Sequence, residues 1–150
     1  LWYNKLMEVD VMNMEKFADH IIAVAKENKL PITNLQLQKV MYFTFKLAKE
    51  DNIIDEQVLK EMYDQPFEVW QYGPVIREQY LRFRKFASEI IIGFFEQNPI
   101  LEPLNSVIIE LLKVDVFILI DISHRLPFWM NNSNKICGYT STVKYQFEDI

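Results

Sequence analysis

The chain has 150 residues, half of them apolar, and carries 21 acidic against 16 basic side chains for a net charge of −5. This size and composition predict one globular domain with a substantial core, and the acidic balance makes broad capture of nucleic acid unlikely as a function. The chain has only three glycines, so a glycine-rich phosphate-binding loop is unlikely. With two histidines and one cysteine, a structural zinc site is also unlikely. A single cysteine excludes an intrachain disulfide.

The sequence also gives expectations for the cellular location of the protein and for bound cofactors or metals. The longest apolar runs are interrupted by aspartates and are too short to span a membrane, and no signal peptide is legible. A single cysteine, Cys137, is typical of a reducing compartment. We therefore expect a cytoplasmic protein with no cofactor, no metal and no membrane contact. Residues 1–13 are predicted to be a leader or a disordered start, followed by a single domain at 14–150.

The first half of the chain predicts two helices. Residues 14–28 alternate apolar and charged side chains at helical spacing, and Pro31 ends that helix. The next helix is predicted at about 34–50, because Thr33 and Gln36 form a T-x-x-Q capping box at its start. Apolar side chains cover most of its circumference, which indicates burial. We expect this helix to be the centre of a compact helical bundle, in a mainly α fold that is α+β at most.

The middle of the chain is less regular. Residues 53–65 are ambiguous and fit a short helical turn. Aromatic and β-branched side chains favour an extended segment at 67–72, and 89–95 could pair with it as a small two-stranded element. Between these segments, Gly73-Pro74 breaks the chain and 75–86 is predicted to be a helix.

The last third predicts two more helices and a loop. Apolar side chains at helical spacing favour helices at 103–113 and 114–123. The residues after Pro127 are typical of turn and loop, and 142–150 could form a short terminal helix. No internal repeat or low-complexity linker divides the chain, which agrees with one domain.

Three sequence motifs follow one another in the order found in a known family. They are LQLQKVMYF at 35–43, FEVWQYGPV at 67–75 followed by Tyr80 and Phe83, and His124 with Trp129. Together they resemble the Panacea domain, also called the SocA-like antitoxin domain, of phage-associated and bacterial proteins. The W-x-Y-G-P-V piece is the most specific, and the motifs span roughly residues 14–130.

The resemblance implies a function in protein binding. Members of the family are compact, mostly helical domains with a small sheet element, and most neutralise small toxins by direct contact. The resemblance thus implies an antitoxin whose partner is a cognate protein toxin, and not an enzyme. An alternative stays open: a phage-encoded regulator or protease adaptor acting on a host protein, with residues 1–13 and 131–150 as flexible ends that make the second contact. A homodimer also stays open.

The partner-binding surface is predicted around a corner at Trp70, because aromatic side chains and arginines often anchor protein interfaces. The candidate residues are Lys39, Trp70, Tyr72, Pro74, Arg77, Tyr80, Arg84, His124 and Trp129. A packed turn is the plainer interpretation of this corner and the favoured one. Within it, Tyr72 is expected to be the exposed member, since its hydroxyl lets one end remain in water.

Several of these residues have alternative interpretations. Gln38 could be a hydrogen-bonded core group that ties the central helix to a loop, whereas Lys39 is expected in solvent, with a pair to Glu68 as its alternative. For Arg77 and Arg84 a solvated helix face is favoured over contact with an acidic partner or a phosphate.

His124 raises the question of catalysis. It follows Asp121 and Ser123, which suggests a Ser-His-Asp site. Neighbouring residues on one helix point in different directions, however, and catalysis needs the three groups to meet. A packing or capping histidine is therefore the favoured interpretation, and an enzyme with a site centred on His124 ranks third among the functions.

Overall fold

The computed structural model describes residues 12–150, which form seven α-helices and one two-stranded sheet. The elements are α1 Met14–Glu27, α2 Asn34–Glu50, α3 Glu56–Met62, β1 Phe67–Trp70, β2 Gly73–Ile76, α4 Arg77–Phe83, α5 Asn105–Leu112, α6 Val116–His124 and α7 Pro127–Asn132. Short 3-10 turns lie at Arg84–Phe86, Pro99–Leu104, Ser133–Lys135 and Phe147–Asp149. The predicted class, mainly α with a small sheet, is confirmed.

The start of the described chain is part of the first helix. Of the predicted leader 1–13, residues 1–11 lie outside the described residues. The side chain of Asn13 accepts a hydrogen bond from the backbone N–H of Lys16 at 2.8 Å and so caps α1. No helix within residues 12–150 combines the length and the apolar character that crossing a membrane requires.

Helix α2 is the central element of the fold, as predicted. Its capping box is formed in both directions: Gln36 N–H donates to Thr33 Oγ1 and Thr33 N–H donates to Gln36 Oε1. Helices α1, α5 and α6 and the sheet all pack against α2. Most of its residues are buried, including the polar Gln38 and Lys39.

A cluster of aromatic rings joins α2 to the sheet and to the end of the chain. Tyr42 lies with its ring 5.3 Å from that of Phe67 and 5.6 Å from that of Tyr145. The hydroxyl of Tyr63 accepts a hydrogen bond from Phe67 N–H and donates one to the carbonyl of Tyr145. Burial raises the pKa of Tyr42, Tyr63 and Tyr145 above the ordinary tyrosine value. These rings therefore stay neutral and act as core.

The sheet is a hairpin, not the predicted pairing of 67–72 with 89–95. Strand β1 pairs antiparallel with β2, and Trp70 lies opposite Gly73 across a two-residue connection. Gly73 has φ +97°, a left-handed conformation that glycine adopts readily and that lets the chain reverse here. Residues 89–95 form no strand and contribute one isolated bridge, between Ile90 and Thr33.

The hairpin also shortens the predicted helix at 75–86. Pro74 and Val75 belong to β2, and α4 begins only at Arg77. Pro74 is tolerated in this strand because its nitrogen lies on the outer edge, where no ladder hydrogen bond to β1 is needed.

The last residues of the chain pack on the sheet and the core, so the expectation of a flexible end does not hold for 139–150. Val69 N–H donates to the carbonyl of Val143 at 3.0 Å, and Tyr145 N–H donates to the carbonyl of Phe67 at 2.8 Å. The segment 139–145 thus runs along the free edge of β1. Beyond it, the carbonyls of Phe147 and Ile150 accept hydrogen bonds from Lys49 Nζ.

Two local predictions near the end of the chain also need correction. Residues 127–132 form helix α7 with Pro127 at its first position, whereas turn and loop were expected. The expected terminal helix at 142–150 is limited to the 3-10 turn Phe147–Asp149, because 139–145 is extended along β1.

Candidate functional site

A groove of about 610 Å³ opens beside the hairpin, between the start of α2, helix α4 and the segment 139–140. Most of the predicted partner-binding residues line it. The lining side chains are Asn34, Leu35, Gln38, Trp70, Tyr72, Val75, Arg77, Tyr80, Leu81, Arg84, Ala87, Ser88, Tyr139 and Thr140. We refer to this surface as the groove.

Trp70 forms a rigid wall of the groove. Its indole Nε1–H donates to Glu68 Oε1 at 3.0 Å, and its ring meets the edge of Tyr80 with centroids 5.0 Å apart. The guanidinium of Arg77 lies 5.1 Å from the centre of the Trp70 ring, at cation–π distance. The ring is thus held from several directions before any ligand arrives.

Glu68 is the buried anion that organises this wall. Its side chain is 5% exposed and pairs with Arg77 at 2.9 Å and, more loosely, with Lys144 at 3.6 Å. A buried carboxylate needs such partners because water no longer solvates its charge. The alternative in which Lys39 pairs with Glu68 is therefore wrong.

The rim of the groove consists of exposed apolar side chains and one exposed basic side chain, that of Arg84. Tyr72, Leu81 and Tyr139 are each about half or more exposed, which confirms the expected exposure of Tyr72. Arg84 is exposed and lies within 4.0 Å of no carboxylate in the described part of the chain. No aspartate or glutamate is among the lining residues, so the groove carries positive charge on an acidic protein.

Of the other predicted site residues, Pro74 is buried in β2 and does not line the groove. Lys39, His124 and Trp129 lie behind the hairpin turn. Lys39 is wholly buried and its Nζ donates to the carbonyl of Pro74 at 2.5 Å, so the prediction of a solvent-exposed Lys39 is wrong. Burial holds the pKa of Lys39 well below the usual lysine value. Beside it, Gln38 Oε1 accepts from Ile76 N–H at 2.9 Å, which agrees with the interpretation of Gln38 as a hydrogen-bonded core group.

His124 and Trp129 hold the turn from the same side. Their rings stack with centroids 3.9 Å apart. His124 Nε2 donates to the carbonyl of Gln71 at 2.8 Å, and Trp129 Nε1–H donates to the carbonyl of Trp70 at 2.9 Å. Burial lowers the pKa of His124, and the hydrogen bond to Gln71 opposes that shift. His124 is therefore a packing residue, as favoured from the sequence.

We call Lys39, His124 and Trp129 the brace, because each donates a hydrogen bond to a backbone carbonyl of the segment 70–74. Close packing behind the turn explains why glycine occupies position 73. A Cβ there would lie 2.5 Å from Ser123 Oγ and 2.9 Å from Lys39 Nζ. The turn can pack so closely on α2 and α6 only without that carbon.

The residues of the suggested Ser-His-Asp site do not meet. Ser123 Oγ donates to the carbonyl of Ile120 at 2.7 Å, and Asp121 pairs with Arg125. His124 faces the hairpin turn instead of either group. Among residues 12–150, no three histidine, cysteine or acidic side chains are grouped closely enough to hold a metal ion.

Sequence reasoning missed several residues of the site, and three of them matter most to its chemistry: Glu68, Leu81 and Tyr139. For Glu68 a signal exists, since a carboxylate between large apolar residues of a strand needs a cation, and Arg77 follows shortly after. Leu81 and Tyr139 give no such signal. Tyr139 reaches the groove through tertiary contacts: its carbonyl accepts a hydrogen bond from Gln71 N–H at the hairpin turn.

Comparisons with protein-family models, with curated proteins and with solved structures found no match to this chain. The resemblance to the Panacea domain therefore depends on the three sequence motifs alone.

Proposed function

We propose that this chain is an antitoxin-type binding module, similar to the Panacea domain, that neutralises a small protein toxin by direct contact at the groove. The observation that supports the proposal is the composition of the groove: tryptophan, tyrosine and arginine in a concave site. These side chains are the ones enriched among the residues that dominate binding energy at protein interfaces.

The rigidity of the groove also favours tight binding. Trp70 is held by Glu68, Arg77 and Tyr80. A side chain that is already ordered loses little conformational entropy when a partner covers it, so more of the contact energy appears as affinity. The exposed rim then supplies apolar surface that a partner would remove from water.

The proposal is tested by co-expressing the chain with each small protein encoded beside it and measuring growth rescue and co-purification. Leu81→Asp places a charge on the rim of the groove, where Leu81 is 49% exposed. Ile118→Asp is the matched control on α6, outside the groove, where Ile118 is 54% exposed. We expect Leu81→Asp to abolish rescue and Ile118→Asp to retain it.

Two results contradict the proposal. One is that no neighbouring protein is neutralised or retained by the wild-type chain. The other is that Leu81→Asp and Ile118→Asp rescue growth equally well, which would place the contact on another surface. Circular dichroism of both variants shows whether each keeps its helical content.

A further inference from the structure

We propose that the groove binds an acidic peptide segment, with an apolar side chain of the segment against Trp70 and Tyr80 and a carboxylate against Arg84. Identifying that segment as part of the toxin rests on the proposed function. The preference for an acidic segment rests on the groove alone, and the two statements can be tested separately.

The charges of the groove favour an anion. Arg84 is exposed and unpaired with any carboxylate of the described chain. Arg77 uses Nε and Nη2 on Glu68 and the carbonyl of Ser141, and no described residue accepts a hydrogen bond from its Nη1. The buried charge of Glu68 is already met by Arg77 and Lys144. No acidic side chain lines the groove. A carboxylate of a ligand would therefore be attracted by the lining arginines and repelled by no lining side chain.

The walls of the groove favour an apolar side chain between its charged contacts. Trp70 and Tyr80 meet edge to face at 69°, so their rings form two sides of a corner. Val75, which is buried, and Leu35 add aliphatic surface to the lining. An aromatic or branched side chain placed there gains dispersion contacts and leaves water.

The polar groups of the groove argue for a peptide over a nucleotide. Asn34 Nδ2 donates to the carbonyl of Tyr80, and Gln38 bonds both Ile76 N–H and Asn34. These side-chain amides already make hydrogen bonds within the protein, so few donors or acceptors remain to recognise the edge of a nucleotide base. The groove also contains no glycine whose backbone N–H could approach a phosphate closely.

The inference is tested with three short peptides of the form acetyl-Gly-X-Phe-X-Gly-amide, in which X is Glu, Gln or Lys. Binding to the ¹⁵N-labelled full chain is followed by NMR at the indole N–H of Trp70, with the indole N–H of Trp129 in the brace as internal control. Trp→Phe variants assign the two signals. We expect the Glu peptide to shift the Trp70 signal saturably and to bind about fivefold more tightly than the Gln peptide, which corresponds to one exposed charge-assisted pair.

Arg84→Gln tests which cation is responsible, and Lys85→Gln is its matched control on the neighbouring exposed position. We expect Arg84→Gln to remove the preference for the Glu peptide over the Gln peptide, and Lys85→Gln to keep it. The inference is overturned if the peptides bind equally, if none shifts Trp70, or if the two variants behave alike.

The growth-rescue assay separates this inference from the proposed function. If the wild-type chain rescues growth but the peptides show no charge preference, the acidic-segment inference fails and the antitoxin proposal stands. If the Glu peptide binds as expected but no neighbouring protein is neutralised, the groove keeps its assigned chemistry and the antitoxin proposal fails.

Discussion

The two sides of the hairpin corner use similar residue types in opposite ways. On the groove side, Tyr72 and Arg84 are exposed, and Arg84 pairs with no carboxylate of the described chain. On the brace side, Lys39, His124 and Trp129 each donate to a carbonyl of the turn. The segment W-x-Y-G-P-V at 70–75 thus has backbone carbonyls that the brace holds and one side chain, Tyr72, that is exposed at the rim of the groove. The comparison predicts that changes to the brace affect stability and changes to the groove affect binding.

The largest effect on stability is expected for Gly73→Ala. The added Cβ would collide with Ser123 Oγ and Lys39 Nζ, and alanine disfavours a φ of +97°. We expect a loss of about 3 kcal/mol or more in the free energy of unfolding, measured by urea denaturation.

Gly138→Ala is the control for Gly73→Ala. Gly138 also has a positive φ, +71°, but a Cβ there would meet nothing within 4 Å. Only the cost of a left-handed backbone conformation for alanine remains, so we expect the free energy of unfolding to fall by about 1 to 2 kcal/mol. Equal losses at the two positions would show that close packing of the turn against Ser123 and Lys39 does not matter.

The next prediction is that Lys39 makes the free energy of unfolding depend on pH, and that Lys39→Met weakens this dependence. Burial lowers the pKa of Lys39 in the folded state, whereas the unfolded chain has a lysine pKa of about 10.4. Between these two values the unfolded state binds more protons, so the unfolding free energy of the wild-type protein rises with pH, by at most about 1.4 kcal/mol per pH unit for this group. Below the lowered pKa both states are protonated and this contribution to the slope disappears.

Lys39→Met should remove that contribution. Urea denaturation at pH 7, 8 and 9 is expected to show a shallower rise for the variant than for the wild-type protein. Equal slopes would mean that Lys39 keeps its proton in the folded state throughout this range.

A smaller loss of stability is expected for Trp129→Phe. Phenylalanine keeps a ring for stacking on His124 but cannot donate to the carbonyl of Trp70. The free energy of unfolding should fall by about 1 kcal/mol, and peptide binding at the groove should change little. A large loss of binding with unchanged stability would instead assign Trp129 to the partner surface.

The smallest effect on stability is expected for Tyr72→Ala. Its side chain is exposed at the rim, so the free energy of unfolding should change by no more than about 0.5 kcal/mol. Growth rescue should nevertheless weaken, because the variant removes aromatic contact area from the groove. Tyr139→Ala offers a second exposed rim position at which the same separation of stability from binding can be examined.

Local sequence signals were enough for the first two helices, α1 and α2. The capping box of Thr33 and Gln36 and the apolar periodicity behind it are short-range features, and they predicted both the start and the burial of α2. The aromatic and β-branched residues of 67–72 likewise predicted an extended segment, since their shape favours a strand locally, and β1 occupies 67–70 of it.

Only the tertiary structure decided which segment completes the sheet and which side of the corner stays exposed. Pairing of β1 with β2 depends on long-range partners: Gln38 and Lys39 on one edge, and the segment 139–145 on the other. Lys39 looked like a surface residue because its sequence neighbours do not reveal the carbonyl of Pro74 that it meets. Hydrogen bonds between residues far apart in sequence leave no periodic pattern in the chain. Composition and spacing could therefore predict a turn at 70–75, but not which of its sides forms the groove and which packs against the brace.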